Sequence, residues 1–210
     1  MSEPQREVRI CTAAPIELRA TASDEGEEGG GIGITGYAAV FGEATAIGPL
    51  ESWGWEEVVD RGAFRAAVQR GDDVTLLVDH AGLPLARSSS GTLTLSEDER
   101  GLRVDTRLDA SDPDVQRLLP KMKRGDLTKM SFGFIAEAEG WDETGPHARR
   151  SIRSVRLFDV SIVTDPAYQG TEIALRSRAA VAGARPDTRA VSGAPITLRM
   201  DMRLRLAGPR

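Results

Sequence analysis

Apolar runs of strand length recur along most of this 210-residue chain, whereas only residues 60–71 and 111–126 have the spacing of a helix. In residues 91–108, apolar and polar side chains alternate on both sides of a charged turn, and this pattern predicts a β-hairpin. Residues 130–140 and 151–166 predict two long strands joined by a polar turn. Because the strands do not alternate regularly with helices, a parallel βαβ sheet is disfavoured. The pattern predicts an α+β fold, mainly β, with an antiparallel β-barrel or curled sheet surrounded by a few helices.

Capping residues predict where the two helices begin and end. Asp60 can cap the first helix, and Gly71 can terminate it. Either Ser111 or Asp112 can cap the second helix. Pro120 is expected to kink or shorten that helix, because proline lacks the amide hydrogen that the helix interior requires.

Composition excludes several classes of protein. The net charge is -5 and the pI about 5.2, so nucleic acid is not expected as a direct partner. One cysteine, Cys11, and two histidines leave no disulfide framework and no good zinc set, and we expect neither a metal nor a cofactor. No run approaches the roughly 18 apolar residues of a membrane-spanning helix, and the first ten residues lack the apolar core of a signal peptide. We therefore expect a soluble cytosolic protein without a membrane role.

The domain organisation follows from two shifts in composition. We expect one domain over residues 1–177, with a flexible, acidic, Gly-rich loop at 23–33, and a basic, mobile tail at 178–210. The tail holds seven Arg and two Asp, a net charge of 7 - 2 = +5. Residues 196–206 alternate apolar with polar side chains, as a strand does. Two interpretations stay open: the tail pairs with a sheet edge, or it is a remnant that the protein trims off.

Three polar residues stand in or beside apolar, strand-like surroundings. Ser131 lies between two large apolar residues, Asp159 lies within RLFDVSIV, and His80 ends an apolar run. His80 then enters residues 81–91, whose Gly, Pro and Ser content predicts a loop. A buried carboxylate needs a partner, and a serine, a histidine and an acid fit a nucleophile, a base and an orienting group. Sequence spacing does not show that the three meet. The second histidine, His147, lies in a polar turn and is expected to be exposed.

Six stretches occur in order over residues 34–177: GYAAVFGE, EEVVDRGAF, LLVDHAGLPLARSSSGTL, EDERGLRVDTRL, KRGDLTKMSFGF and VRLFDVSIVTDPAYQGTEIALRS. Any one of these stretches is a weak indication of a protein family, but six of them in the same order are a specific one. Through them the chain resembles the prohead serine proteases of tailed phages with HK97-type capsids.

This resemblance implies an endopeptidase that works in the host cytoplasm, inside the assembling procapsid. Its partners would be the major capsid protein and the scaffold segment that it cuts away, and such enzymes usually also cut themselves. A homo-oligomer is left open. The resemblance also implies the fold of herpesvirus assemblins, a β-barrel surrounded by helices.

The same resemblance implies roles for particular residues. The family's histidine falls on His80 and its serine on Ser131. Asp159 stands nearest to the place where assemblins carry a second histidine, and it is the expected third catalytic residue. Residues 164–170 lack the arginine pair that shapes the assemblin oxyanion hole, so the donors of that hole are left unassigned.

Two other functions compete with the protease interpretation. The same fold could act as a non-catalytic internal scaffold or capsid-assembly factor. An unrelated serine esterase is disfavoured, because Ser131 does not lie in a G-x-S-x-G turn.

Overall fold

The structure, a computed structural model, describes residues 5–11, 14–20 and 31–164, which form eleven strands and two helices. The strands are β1 (Glu7–Cys11), β2 (Glu17–Ala20), β3 (Gly31–Val40), β4 (Thr45–Ile47), β5 (Trp55–Val59), β6 (Thr75–Val78), β7 (Ala81–Arg87), β8 (Leu93–Glu97), β9 (Gly101–Asp109), β10 (Lys129–Asp142) and β11 (Arg149–Val163). The helices are α1 (Arg65–Arg70) and α2 (Pro113–Lys123). The prediction of a mainly β protein with few helices is confirmed. Neither of these helices is long and apolar enough to cross a bilayer.

The strands form two sheets. The larger sheet has the order β1–β10–β11–β5–β4, and β6 pairs with both β11 and β7. The smaller sheet has the order β2–β3–β9–β8. Most neighbours are antiparallel as predicted, but β11 runs parallel to both β5 and β6.

The expected closed barrel is wrong for the described part of the chain, and the alternative of a curled sheet agrees only loosely. The two sheets instead bury their apolar faces in one shared core, so neither sheet needs a closed ring of hydrogen bonds to remove apolar surface from water. Residues of this core include Ile34, Leu102, Val104 and Leu108 from the smaller sheet and Phe132, Phe134, Ile152 and Val160 from the larger one.

The hairpin of β10 and β11 forms the centre of the larger sheet. In its antiparallel register Ser131 lies opposite Ser161, and Gly133 lies opposite Asp159. Side chains alternate between the two faces of a strand, so these four residues share one face while Phe132 points into the core on the other. The alternation explains why one serine stands among large apolar residues.

The helix ends are partly as predicted. Gly71 ends α1 with a φ of 68°, and Asp112 caps α2 through its side chain. Asp60 does not cap α1: Gly62 has a φ of 91°, which no helix accommodates, and the amide of Phe64 at the helix start donates to a carboxylate oxygen of Glu97 at 2.9 Å. Helix α2 continues three residues past Pro120, to Lys123.

Parts of two predicted loops belong to strands. Residues 81–87, expected to be a loop, form β7, which among the described strands pairs only with β6. Proline is tolerated there because an edge strand does not use every amide hydrogen. Residues 31–33, the end of the predicted Gly-rich loop, belong to β3. The remainder of that loop and the predicted tail at 178–210 lie outside the described residues.

A buried ionic cluster joins β1 to the rest of the larger sheet. Its members are Glu7, Arg9, Glu57, Glu139 and Arg150, from β1, β5, β10 and β11. Arg9 Nη2 donates to Glu57 Oε2 at 2.9 Å, and Arg150 Nη1 donates to Glu7 Oε2 at 2.6 Å. Burial alone would raise the pKa of Glu7, but its bonds to the two arginines hold that pKa below its ordinary value. A five-residue strand is thereby fixed beside β10.

Candidate active site

Ser131 lies near the start of β10, which is flanked in the larger sheet by β1 and β11. It pairs with Ile10 on one side and with Ser161 on the other. The residue is 0% exposed to solvent. A buried hydroxyl must be hydrogen-bonded, and Ser131 Oγ has two partners: His80 Nε2 at 2.7 Å and the carbonyl oxygen of Arg9 at 2.8 Å.

His80 lies in the two-residue turn between β6 and β7. Asp79 and His80 have φ values of 49° and 57°, a left-handed conformation that is uncommon for residues other than glycine. The turn is fixed to the end of β11, because Asp79 N donates to the Ile162 carbonyl at 3.0 Å and Thr164 N donates to Asp79 Oδ1 at 2.9 Å. His80 N donates to Ser161 Oγ at 3.2 Å. These bonds hold the turn so that the imidazole lies over Ser131.

Asp159 completes a continuous chain of hydrogen bonds. Its Oδ1 bonds to His80 Nδ1, and His80 Nε2 in turn bonds to Ser131 Oγ. The side chain of Asp159 is 1% exposed and that of His80 is 17% exposed, so the histidine is the member nearest to solvent. The structure therefore brings together the three residues that the sequence nominated.

The environment of Asp159 keeps its carboxyl group ionised at neutral pH. Burial acts to raise its pKa, but the hydrogen bond and charge of His80 and those of Arg6 lower it more, and the pKa lies below its ordinary value of 3.8. An ionised carboxylate accepts a hydrogen bond from Nδ1–H, and Nε2 of the neutral imidazole then has no hydrogen and can accept one from a hydroxyl group.

Three contacts at this site were missed by sequence reasoning. Ser161 Oγ donates to Asp159 Oδ1 at 3.1 Å, and the side chain of Arg6 bonds to Asp159 Oδ2. The Arg9 carbonyl is the third contact. Ser161 had a signal, because it lies two positions after Asp159 and so on the same face of a strand. Arg6 and Arg9 gave no such signal, because they lie more than 120 positions before Ser131 in the sequence. Arg9 belongs to β1, and Arg6 is the residue before that strand.

His147 lies far from this constellation. It belongs to the turn at 143–148, beyond the pair formed by Asp142 and Arg149. Asp142 lies eleven positions after Ser131, a distance along β10 of about 35 Å. The expectation that His147 is exposed is wrong, because it is half-buried in that turn.

An open pocket of about 300 Å³ lies beside the turn that carries His80. Its apolar lining includes Val78, Leu83 and Leu118, and its charged lining includes Arg117 and Lys121. Leu83, on the edge strand β7, is 79% exposed. Of the described residues that line the pocket, none is His80, Ser131 or Asp159. The pocket is thus next to the triad and separate from it.

Comparison with known protein families identifies the family of this chain. The family described as caudovirus prohead serine protease matches residues 17–185, well over half of its length. The chain belongs to this family. The matched region contains His80, Ser131 and Asp159, and it extends eight residues into the predicted tail, to residue 185. No curated protein and no solved structure matches the chain. The expected likeness to assemblins stays a prediction.

Residues 165–170, considered for the oxyanion hole, lie outside the described part of the chain. Within the described part, no group of three or more His, Cys, Asp or Glu residues is arranged to hold a metal ion.

Proposed function

We propose that this chain is a serine endopeptidase of phage capsid maturation, with Ser131 as nucleophile, His80 as base and Asp159 as orienting acid. One observation carries the proposal: an unbroken path of hydrogen bonds runs from Ser131 Oγ through the imidazole to the Asp159 carboxylate. This order of groups is the one that activates a serine hydroxyl, and it occurs here in a member of a serine protease family.

The mechanism is acyl transfer. His80 Nε2 accepts the Ser131 proton as Oγ attacks the scissile carbonyl carbon, and Asp159 stabilises the imidazolium that forms. His80 then gives its proton to the leaving amine as the C–N bond breaks, leaving an acyl ester on Ser131. Water, deprotonated by His80, attacks this ester, and the proton returns to Ser131 Oγ as the carboxylic acid product leaves.

The substrate that we propose is the scaffold segment of the major capsid protein, cut inside the procapsid in the host cell. The prohead assignment of the family supports this location. Cleavage of the chain by its own copies is part of the same proposal, since copies confined together would present one another with peptide bonds. We propose no membrane and no nucleic-acid role.

A second candidate function rests on the burial of Ser131. The residue has no exposed surface, and its hydroxyl also bonds to a backbone carbonyl, as a purely structural serine would. The alternative is a non-catalytic internal scaffold or assembly factor on the same fold. The protease proposal requires that a substrate reach Ser131 from the side on which the His80 ring is partly exposed.

Active-site labelling with a fluorophosphonate separates the two functions. A protease gives one label on Ser131, and His80→Ala and Ser131→Ala abolish it. Procapsids assembled with Ser131→Ala should keep full-length capsid subunits, since loss of the nucleophile lowers turnover by a factor on the order of 10⁴ or more. Absence of labelling in the folded protein, with normal capsid assembly, would instead support the scaffold.

A further inference from the structure

Arg6 binds the oxygen of Asp159 that His80 does not use. Its Nη2 bonds to Asp159 Oδ2, whereas His80 Nδ1 bonds to Oδ1. The Arg6 side chain is 49% exposed, so the guanidinium reaches a fully buried carboxylate from the surface. We propose that Arg6 is a positioning residue of the protease, acting on His80 through Asp159. This inference rests on the proposed function.

The sheet leaves space for this contact at Gly133. A Cβ atom at Gly133 would lie 2.1 Å from Asp159 Oδ2 and 3.3 Å from Arg6 Nε. Any larger residue at this position would push the carboxylate or the guanidinium away. Gly133 lies directly opposite Asp159 in the sheet, so the missing side chain opens a path to this particular oxygen.

Two further contacts hold Arg6 in place. Its guanidinium carbon lies 5.2 Å from the centre of the Phe158 ring, within the range of a cation–π contact. The adjoining strand β1 is paired with β10 and fixed by the ionic cluster through Glu7 and Arg9. The entropy lost in ordering a long surface side chain offsets most of the attraction of a single ion pair, so these additional contacts help to hold the bond to Asp159.

Charge gives Arg6 an effect that packing alone would not have. In the described part of the chain, Arg6 and His80 are the two basic groups bonded to Asp159, while Ser161 donates to it as a neutral group. The guanidinium neutralises part of the carboxylate charge and therefore disfavours the protonated imidazole. An activity profile against pH therefore responds to this charge, whereas a contact that acts by packing alone would leave the profile in place.

Strand β1 and Arg6 precede the region that matches the family, which starts at residue 17. The match includes Asp159 and Gly133 but gives no role to the segment that reaches them. Arg6 thus adds to the site a residue that the family match does not cover.

The test is the rate constant for acylation of Ser131 by a fluorophosphonate, measured against pH. In this reaction the Ser131 Oγ–P bond forms, the P–F bond breaks, fluoride leaves and His80 takes the proton. We expect Arg6→Met to lower the rate about tenfold at neutral pH and to move the acidic limb of the profile upward by about half a pH unit. Arg6→Lys, which keeps the charge without the planar fork, should recover most of the shift and part of the rate.

The matched control is Arg156→Met. The guanidinium of Arg156 lies 5.4 Å from the same Phe158 ring, but the described contacts of Asp159 do not include it. This variant should keep the wild-type rate and profile. In an Asp159→Asn background, Arg6→Met should have no further effect, because the carboxylate through which it acts is gone.

The outcomes separate this inference from the proposed function. Absence of labelling in the wild-type protein would overturn the function. Normal labelling in the wild type with an unshifted profile in a folded Arg6→Met protein would overturn the inference alone. If Arg6→Met lowers the melting temperature, the pH profiles of Arg6→Lys and Gly133→Ala serve as the test instead. The methyl group added in Gly133→Ala displaces the carboxylate or the guanidinium, so an unshifted profile in this variant, once folded, would also overturn the inference.

Discussion

The Nε2 atom of His80 lies 2.7 Å from the Oγ atom of Ser131, although the two residues are 51 positions apart in the chain. The contact depends on two different parts of the larger sheet. Ser131 is fixed by the pairing of β10, and His80 by a left-handed turn that is bonded to the end of β11. A turn of this kind costs free energy, so its retention at the centre of the site fits a functional requirement.

The two histidines should differ completely in their effect on activity. His80→Ala removes the base and should abolish fluorophosphonate labelling, whereas His147→Ala should leave it unchanged, because His147 lies at the far end of the β10–β11 hairpin. Labelling rates of both variants at neutral pH provide the measurement. Equal losses would show that this chain uses a second histidine in place of Asp159.

Ser161 should assist the triad without being essential. Its hydroxyl accepts a hydrogen bond from His80 N and donates one to Asp159, so Ser161→Ala should lower the labelling rate about five- to tenfold. Ser154→Ala, on the same strand but bonded only at 3.3 Å to the exposed Glu137, is the control and should behave as wild type. A wild-type rate for Ser161→Ala would mean that the turn holds His80 unaided.

Asp159 should link stability to pH in a defined direction. Its pKa is lower in the folded than in the unfolded chain, so its stabilising contribution is complete above the unfolded value of about 3.9 and is lost as the pH falls through the folded value. The difference in urea midpoint between wild type and Asp159→Asn should therefore be largest near neutral pH and shrink below about pH 4. A difference that is constant from pH 7 to pH 3 would contradict this linkage. Asp126→Asn, in an exposed ion pair with Arg124, is the control.

Arg150 should be the most sensitive member of the buried ionic cluster. Its side chain is 2% exposed and bonds to three carboxylates, so Arg150→Met leaves the buried carboxylates of Glu7 and Glu57 to share the single charge of Arg9. Breaking a buried ion pair in this way should cost about 3–5 kcal/mol in the free energy of unfolding. Denaturant unfolding measures this cost. Arg124→Met, which breaks only an exposed pair, should show no measurable change. Equal stabilities would show that the cluster is replaceable by apolar packing.

The basic tail should matter for packaging and not for chemistry. Removing residues 186–210, which follow the family match, deletes five Arg and two Asp. We expect unchanged fluorophosphonate labelling but fewer protease copies inside procapsids, because basic segments bind acidic surfaces through charge. Copy number in purified procapsids, at low and moderate salt, provides the measurement. Normal packaging of the truncated chain would contradict recruitment by the tail.

The sequence determined the elements whose signals are local. Alternation of apolar and polar residues predicts the hairpin of β8 and β9 and the long pair β10 and β11. Capping chemistry over a few residues predicts the end of α1 at Gly71 and a cap of α2 at Ser111 or Asp112, of which the structure uses Asp112. The motifs around His80 and Ser131 likewise pointed to the family and to its two expected residues. Edge strand β7 was missed because its Gly and Pro content is typical of a loop.

The tertiary structure decided everything that depends on distant partners. It decided that two open sheets share a core, that β11 lies parallel to β5 and β6, and that Asp159 faces His80. It also placed Arg6 on Asp159 across 153 positions of sequence. Alternation assigns a side chain to one face of its strand, but strand order and register determine which side chains of other strands lie beside it. Strand order and register are set by the free energy gained when the whole apolar core is buried. Residues of both sheets contribute to that free energy, so no local stretch of sequence determines it.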